Sequence, residues 1–291
     1  VKQGEDVSAP LVAPLRPEVP TLEPGESYLF ETVIRTLKMG HHFTQGTVDS
    51  NEIWLDVEVV EGAEYDDQGQ RTAGRVIGRS GGIDDQGNVD PWSHFVNVFM
   101  LDRDGNRINR RNAQHIFVPL YNHQIPPGAG QAAHFLMPLP NDLTAPVTVE
   151  VKLKYRKFDA EYMRIVGEFH RERQRPLNGL VEGEPYRPDL PILTLASDRV
   201  TFPVAGVDAA VENPPREIPE WQRWNDYGIG LLLESTGGGA GQGELIGAEE
   251  AFRKVEELGQ FHGPINLARV YNADGRLDLA VEALTRAAEY Q

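Results

Sequence analysis

The chain has 291 residues and carries 44 acidic against 28 basic side chains, a formal charge of −16, with 40% hydrophobic and 25% charged residues. That balance supports a hydrophobic core and excludes wholesale disorder, and the negative field argues against nucleic-acid partners. No apolar run approaches the roughly eighteen residues of a spanning helix, so no membrane insertion is expected, and the lack of cysteine excludes disulfides, thiolate metal sites and covalent haem attachment within the chain.

The length suits two domains. The chain opens at Val1 with no apolar leader, as a processed chain or a piece of a longer one would. Five prolines make residues 1–25 an extended, Pro-rich arm. Strands are then expected at Ser27–Leu37, along Ile53, Leu55, Val57 and Val59, at Arg75–Ser80, His94–Leu101, His115–Tyr121 and Ala132–Met137, and along Val147, Val149, Val151, Leu153 and Tyr155. Their connectors carry turn chemistry, as in Asp84-Asp85-Gln86-Gly87-Asn88, Asp102-Arg103-Asp104-Gly105-Asn106 and Pro126-Pro127-Gly128. Short strands with such turns describe an antiparallel, Ig-like β-sandwich. Phe158, Tyr162, Val166 and Phe169 lie along one face of a helix that Asp159 would cap, so the sandwich with its trailing helix spans 26–170. Residues 171–220 form a Pro-rich connector, in which Ile192–Leu195 and Val200–Phe202 read as strands returning to the sandwich edge.

From Trp221 the composition shifts to Ala, Leu, Glu and Gly. Trp224, Tyr227, Gly228 and Leu231, followed by Gly243, Ala248, Phe252 and Val255, match Pro264, Leu267, Ala268 and Tyr271, followed by Gly275, Ala280, Leu284 and Ala287. This pattern resembles two tetratricopeptide repeats over 221–291, so the whole is a multi-domain β + α chain. Small residues at Gly228, Ala248, Ala268 and Ala280 would let helices approach, with Leu231, Phe252, Tyr271 and Leu284 filling the groove. Trp224 to Pro264 is 40 residues but Ala248 to Ala280 is 32, and the Gly-rich run Ser235–Gln242 supplies the difference as a loop insertion. Two repeats are fewer than a continuous core needs, so the second requires a neighbour. Repeats of this kind bind proteins, and Trp224, Tyr227, Leu231, Asn266 and Tyr271 are the residues assigned to partner contact.

Chemistry is harder to find. Of eight histidines, His41, His42, His94, His115 and His123 fall where strands meet loops, with no His-Glu-x-x-His helix and no catalytic carboxylate pair. A copper or zinc centre from His41, His94 and His123 has no spacing to support it. Asp102-x-Asp104-Gly105-Asn106 reads as a hairpin turn rather than a calcium loop, because its Gly comes too early. Trp54 and Trp92 are expected in the sandwich core, and Trp221 and Trp224 in helix packing. A hydrolase is the weakest reading, since no pair of catalytic groups can be named, and the chain reads as more an interaction module than an enzyme.

The segment Met39-Gly40-His41-His42-Phe43-Thr44-Gln45-Gly46-Thr47 resembles one that precedes a β-sandwich in secreted multihaem c-type cytochromes. Further matching stretches are Arg79–Gly82, Val89–His94, Leu101–Gly105, Ile125–Gly128 and Leu153–Phe158. The family's proline in the first segment is Thr44 here. The resemblance implies an extracytoplasmic chain, periplasmic or extracellular, that takes part in electron transfer as the haem-free portion of a multihaem cytochrome assembly or as an associated subunit. It implies His41 as an axial ligand to the iron of a haem c supplied by a neighbouring domain or chain, with His42, His94 and His123 near the same cofactor. Partners would then be a multihaem cytochrome domain or subunit and other proteins docked through the repeats. The alternative is a non-redox adaptor that assembles a complex, homo-oligomer or filament.

Overall fold

The two strongest period-2 runs pair with each other, antiparallel, setting Leu55 opposite Leu153, Val57 opposite Val151 and Val59 opposite Val149. A computed structural model of the chain describes residues 1–4, 10–44, 51–184, 186–187, 190–236 and 242–290. In chain order its elements are β1 (Lys2–Gln3), β2 (Ser27–Arg35), β3 (Glu52–Tyr65), β4 (Arg71–Ser80), β5 (Val98–Leu101), β6 (Arg107–Ile108), β7 (Val118–Asn122), β8 (Gly130–Pro138), β9 (Val147–Arg156), α1 (Ala160–Glu172), β10 (Leu193–Phe202), α2 (Glu220–Thr236), α3 (Gln242–Glu257), α4 (His262–Ala273) and α5 (Leu277–Ala288). Among the described residues the strands form antiparallel sheets of order β1-β2-β8, β10-β9-β3-β4 and β6-β5-β7, and no helix is long and apolar enough to cross a membrane. The chain divides into two compact units, one of residues 1–42, 125–142 and 210–291, the other of 43–124 and 143–209.

In the first unit, β2 and β8 pair along their whole length, from Ser27 opposite Pro138 to Arg35 opposite Gly130. Helix α2 packs on β8, and glycines set how closely. A Cβ on Gly230 would lie 2.7 Å from the backbone nitrogen of Ala132, and one on Gly130 would lie 2.9 Å from the carbonyl of Asp226. Polar groups lock the seat: His134 of β8 lies between Glu31 of β2 at 2.9 Å and Glu234 of α2 at 3.2 Å. Tyr227 donates its hydroxyl hydrogen to the Glu31 carboxylate. Hydrogen bonds to Glu234 and Glu31 push the His134 imidazole up to about 10, so it is a cation at neutral pH. Burial raises Glu31, but His134 outweighs it and holds that carboxyl below its usual range. Arg35 pairs with Asp226 at 3.0 Å; burial nevertheless pushes Asp226 up to about 6. Above α2 the remaining helices pack in succession, with the Phe252 ring against Gly228 and with Ala248, Leu267, Tyr271 and Ala280 in one core.

The second unit is organised by β3, which lies between β9 and β4 and buries side chains on both faces. Ile53, Leu55 and Val57 fill one side, while Trp54 packs with Val89 and Phe95 on the other and donates its indole N–H to the Gly81 carbonyl at 3.0 Å. Asp159 caps α1 by accepting the Tyr162 backbone N–H at 2.6 Å, as the spacing suggested. Strand β10 joins the sheet edge along β9.

Several expectations are corrected. The strands of 26–170 do not share one unit: β2 and β8 bury their surface under α2, which no local pattern announces. The arm 1–25 is tied down, with Leu22 fully buried and Arg223 donating to the carbonyls of Leu15 and Arg16. By contrast, the two strand-like runs expected in the connector 171–220 are present, joined into the single ten-residue strand β10. Trp92 is 90% exposed rather than core, because it rides a turn that projects from the fold. Leu284 is 53% exposed rather than filling a groove, since no described helix covers that side of α5. Helix α1 buries Ala160, Met163 and Gly167, leaving Phe158 and Tyr162 half-buried and Phe169 exposed. Of the Gly-rich insertion, residues 237–241 lie outside the described residues.

Because the folded His134 pKa lies above the ordinary 6.5, its contribution is complete below about pH 6.5 and is lost as pH rises through about 10. The melting-temperature gap between the wild-type protein and His134→Gln should therefore be widest near pH 6 and close toward pH 10 in a calorimetric series. Gly230→Ala should lower stability by about 1–3 kcal/mol, measured by denaturant unfolding, because β8 cannot retreat from the added methyl.

Candidate functional site

The structure divides the four candidate haem-side histidines. His41 and His42 lie in the first unit, both exposed, and His94 and His123 in the second, both half-buried. His41 Nδ1 sits 2.9 Å from the His42 carbonyl. A carbonyl only accepts, so Nδ1 carries the hydrogen and Nε2 the lone pair. Residues 45–50, the second half of that motif, lie outside the described residues.

His94 and His123 are brought together, with ring centroids 5.0 Å apart and planes within 8°. Backbone bonds hold both: Leu55 N–H donates to the His94 carbonyl at 3.0 Å, and His123 N–H to the Asn97 carbonyl at 2.9 Å. Asn97 is the bolt behind them, its amide oxygen accepting from Ile53 N–H at 2.9 Å and its amide nitrogen donating to the Asn51 carbonyl and side chain. His123 Nδ1 donates to the Phe95 carbonyl at 2.9 Å, which makes Nε2 its acceptor nitrogen. Lone pairs of two imidazoles in nearly parallel planes do not converge, so the pair is not a chelate. Among the described residues no group of three or more His, Asp or Glu is placed to hold a metal ion, and the centre considered from His41, His94 and His123 finds no support.

The stack continues as a ladder of rings. Tyr121 meets His123 at 4.4 Å, Phe99 meets Tyr121 at 4.7 Å, and Phe95 meets Phe99 edge-on at 5.6 Å. Burial raises the Tyr121 phenol, keeping it neutral. At its far end the ladder becomes the wall of a cavity of about 160 Å³, where the Arg107 guanidinium lies 4.1 Å over Phe99 and 3.3 Å from Asp159. Glu52, also lining the cavity, is held by Arg156 at 3.0 Å. Burial pushes both Glu52 and Asp159 above the usual carboxylate range, opposed by their arginines. The lining includes no Ser, Thr, Lys or His, and its ionisable groups are carboxylates and guanidiniums.

Of the residues assigned to partner contact, Leu231, Asn266 and Tyr271 are buried and serve the helical core; Asn266 donates to Asn225 at 2.8 Å, and Tyr271 donates to Glu249 at 3.1 Å. Trp224 and Tyr227 are half-buried at its margin. Sequence reading missed Phe99, Tyr121 and Arg107. Phe99 and Tyr121 lay inside expected strands, and only their cross-strand register makes them neighbours.

No family model and no curated protein matches the chain. Among solved structures, the penta-heme cytochrome c552 from Thermochromatium tepidum aligns at 13% identity and a TM-score of 0.33 over 60% of this chain and 36% of that one. The chain thus spans about a third of that cytochrome's chain, and a likeness at this score assigns neither fold nor function.

Asn97→Ala should cost about 1–3 kcal/mol, since it leaves the buried Ile53 N–H without its acceptor, and it should also move the His94 and His123 imidazole signals in NMR spectra. A stability loss with both signals unmoved would show that Asn97 does not position the pair.

Proposed function

We propose that the chain is the haem-free, non-catalytic portion of, or a subunit associated with, an extracytoplasmic multihaem cytochrome assembly, to which it presents His41 as an axial ligand. One observation carries the reading: His41 is exposed and its Nδ1–H is spent on the His42 carbonyl, so the remaining lone pair belongs to Nε2. That is the tautomer an imidazole needs to bind iron through Nε2, with the carbonyl orienting the ring as an outer partner does in metal sites. A haem bound there would supply one-electron transfer. This chain would contribute the ligand and its orientation. The matching segments from Met39 to Thr47 and from Val89 to His94 support the same reading. Within it, the second unit is an Ig-like sandwich. Helices α2–α5 are two tetratricopeptide-like repeats that dock partners beside Trp224 and Tyr227.

The alternative, a non-redox adaptor, is favoured by one feature. Leu277, Val281 and Leu284 are 60%, 64% and 53% exposed along one side of α5, whereas Phe252, the repeat counterpart of Leu284, is fully buried. An assembling repeat would leave such a side for the next helix.

The test is titration of the chain with a proteolytic c-haem peptide that carries one axial histidine and an open sixth position. Conversion to a six-coordinate, low-spin spectrum is expected for the wild-type protein and for His42→Ala, and its loss for His41→Ala. Equal conversion by His41→Ala would overturn the ligand role. Self-association in sedimentation velocity that Leu284→Glu abolishes would instead favour the adaptor.

A further inference from the structure

An indole buries a large apolar surface when packed, yet Trp92 is 90% exposed. It does not sit on a loose tip. The Trp92 N–H donates to Asp90 Oδ1 at 3.0 Å, and Ser93 donates both its hydroxyl, at 2.6 Å, and its N–H, at 3.0 Å, to the Asp90 carbonyl. Asp90 is itself anchored to the end of β4, its N–H donating to the Gly82 carbonyl at 2.8 Å and its Oδ2 accepting from Gly81 N–H at 3.4 Å. The fold therefore holds a bare indole on a rigid turn, as a recognition element requires.

Pro91, the residue before it, lines the cavity of about 160 Å³ described above. Besides the apolar wall of Phe95 and Phe99, the cavity's polar lining is made entirely of planar, fork-shaped groups, namely Asn88, Glu161, Arg164, Arg107 and the two buried carboxylates. Glu52 is paired with Arg156, Asp159 with Arg107 and Glu161 with Arg110 at 4.0 Å, so each carboxylate of the lining has a guanidinium partner. Flat side chains that bind two neighbouring oxygens at once, an apolar wall, paired carboxylates and an adjacent aromatic plate match a neutral polyol ring. Such a ring has apolar C–H faces and an equator of hydroxyls.

We propose that this end of the second unit binds a neutral oligosaccharide, one sugar ring stacking on Trp92 and its neighbour placing hydroxyls on Asn88, Glu161 and Arg164. The proposal is independent of the haem reading, because it uses no residue of the first unit and no histidine. Phosphate-bearing ligands are disfavoured by the overall charge of −16.

The full chain would be titrated with cellohexaose, mannohexaose and N-acetylchitohexaose, following tryptophan fluorescence and calorimetric heat. A saturable blue shift with at least one of them is expected. Trp92→Ala should weaken it about tenfold or more, Trp92→Phe should retain most of it, and neither variant should change the unfolding midpoint. Glu161→Gln should weaken binding by less, as a rim contact does. Three results would overturn the proposal: no saturation with any of the three sugars up to about 10 mM, undiminished binding by Trp92→Ala, or saturable binding of a proline-rich peptide with none of the sugars. The last would assign the turn to a protein partner.

Discussion

The backbone of α2 approaches the backbone of β8 so closely that neither Gly230 nor Gly130 can carry a side chain without displacing it. At that separation the helix and strand exclude water between them, and polar groups at the contact must find partners within the protein. Glu31, His134, Glu234 and Tyr227 do this as one network, with the imidazolium between two carboxylates and the phenol closing onto Glu31. Arg35 of β2 and Asp226, next to Tyr227 on α2, add an ion pair. Among the described residues the helices above rest on α2, which α3 meets through Gly228 and Phe252, with α4 and α5 following in turn.

In the second unit the equivalent role falls to β3. Where β3 is buried on both faces, at Ile53, Trp54 and Leu55, its sequence is apolar without interruption, and the alternation with Asp56 and Glu58 sets in only beyond them. The ring ladder and the cavity share Phe95 and Phe99, with ring centroids 4.4–5.6 Å apart along the ladder from His123 to the cavity wall.

Local pattern recovers what local physics decides. The alternation of Val147 to Tyr155, the Asp159 cap and the two Asp-Gly-Asn turns are present because each depends on residues within a few positions of one another. The partition into units was not legible, because it rests on β2 pairing with a strand a hundred residues away and on which surface α2 covers. Trp92 was misread for a related reason: composition marks a tryptophan as core, and only the Asp90 turn reveals that it points out. The candidate site was half legible. His94 and His123 were singled out, but their stacking and their aromatic neighbours follow from register between β5 and β7. Asn266 and Tyr271 illustrate the converse: polar side chains assigned to partner contact are spent on hydrogen bonds inside the helical core.

The chain passes between its two units at residues 42–43, 124–125, 142–143 and 209–210. Synthesis therefore delivers β2 long before β8, and β8 long before α2, the helix that covers it. At ribosomal speeds β2 waits roughly ten seconds or more for α2 to emerge. During that interval the backbone edge of the β2–β8 pair and the faces that α2 will bury are open to other chains, whereas the second unit needs nothing beyond residue 209. The connectivity thus completes the synthesis of the inner segment before that of the helices which cover the sheet of the first unit.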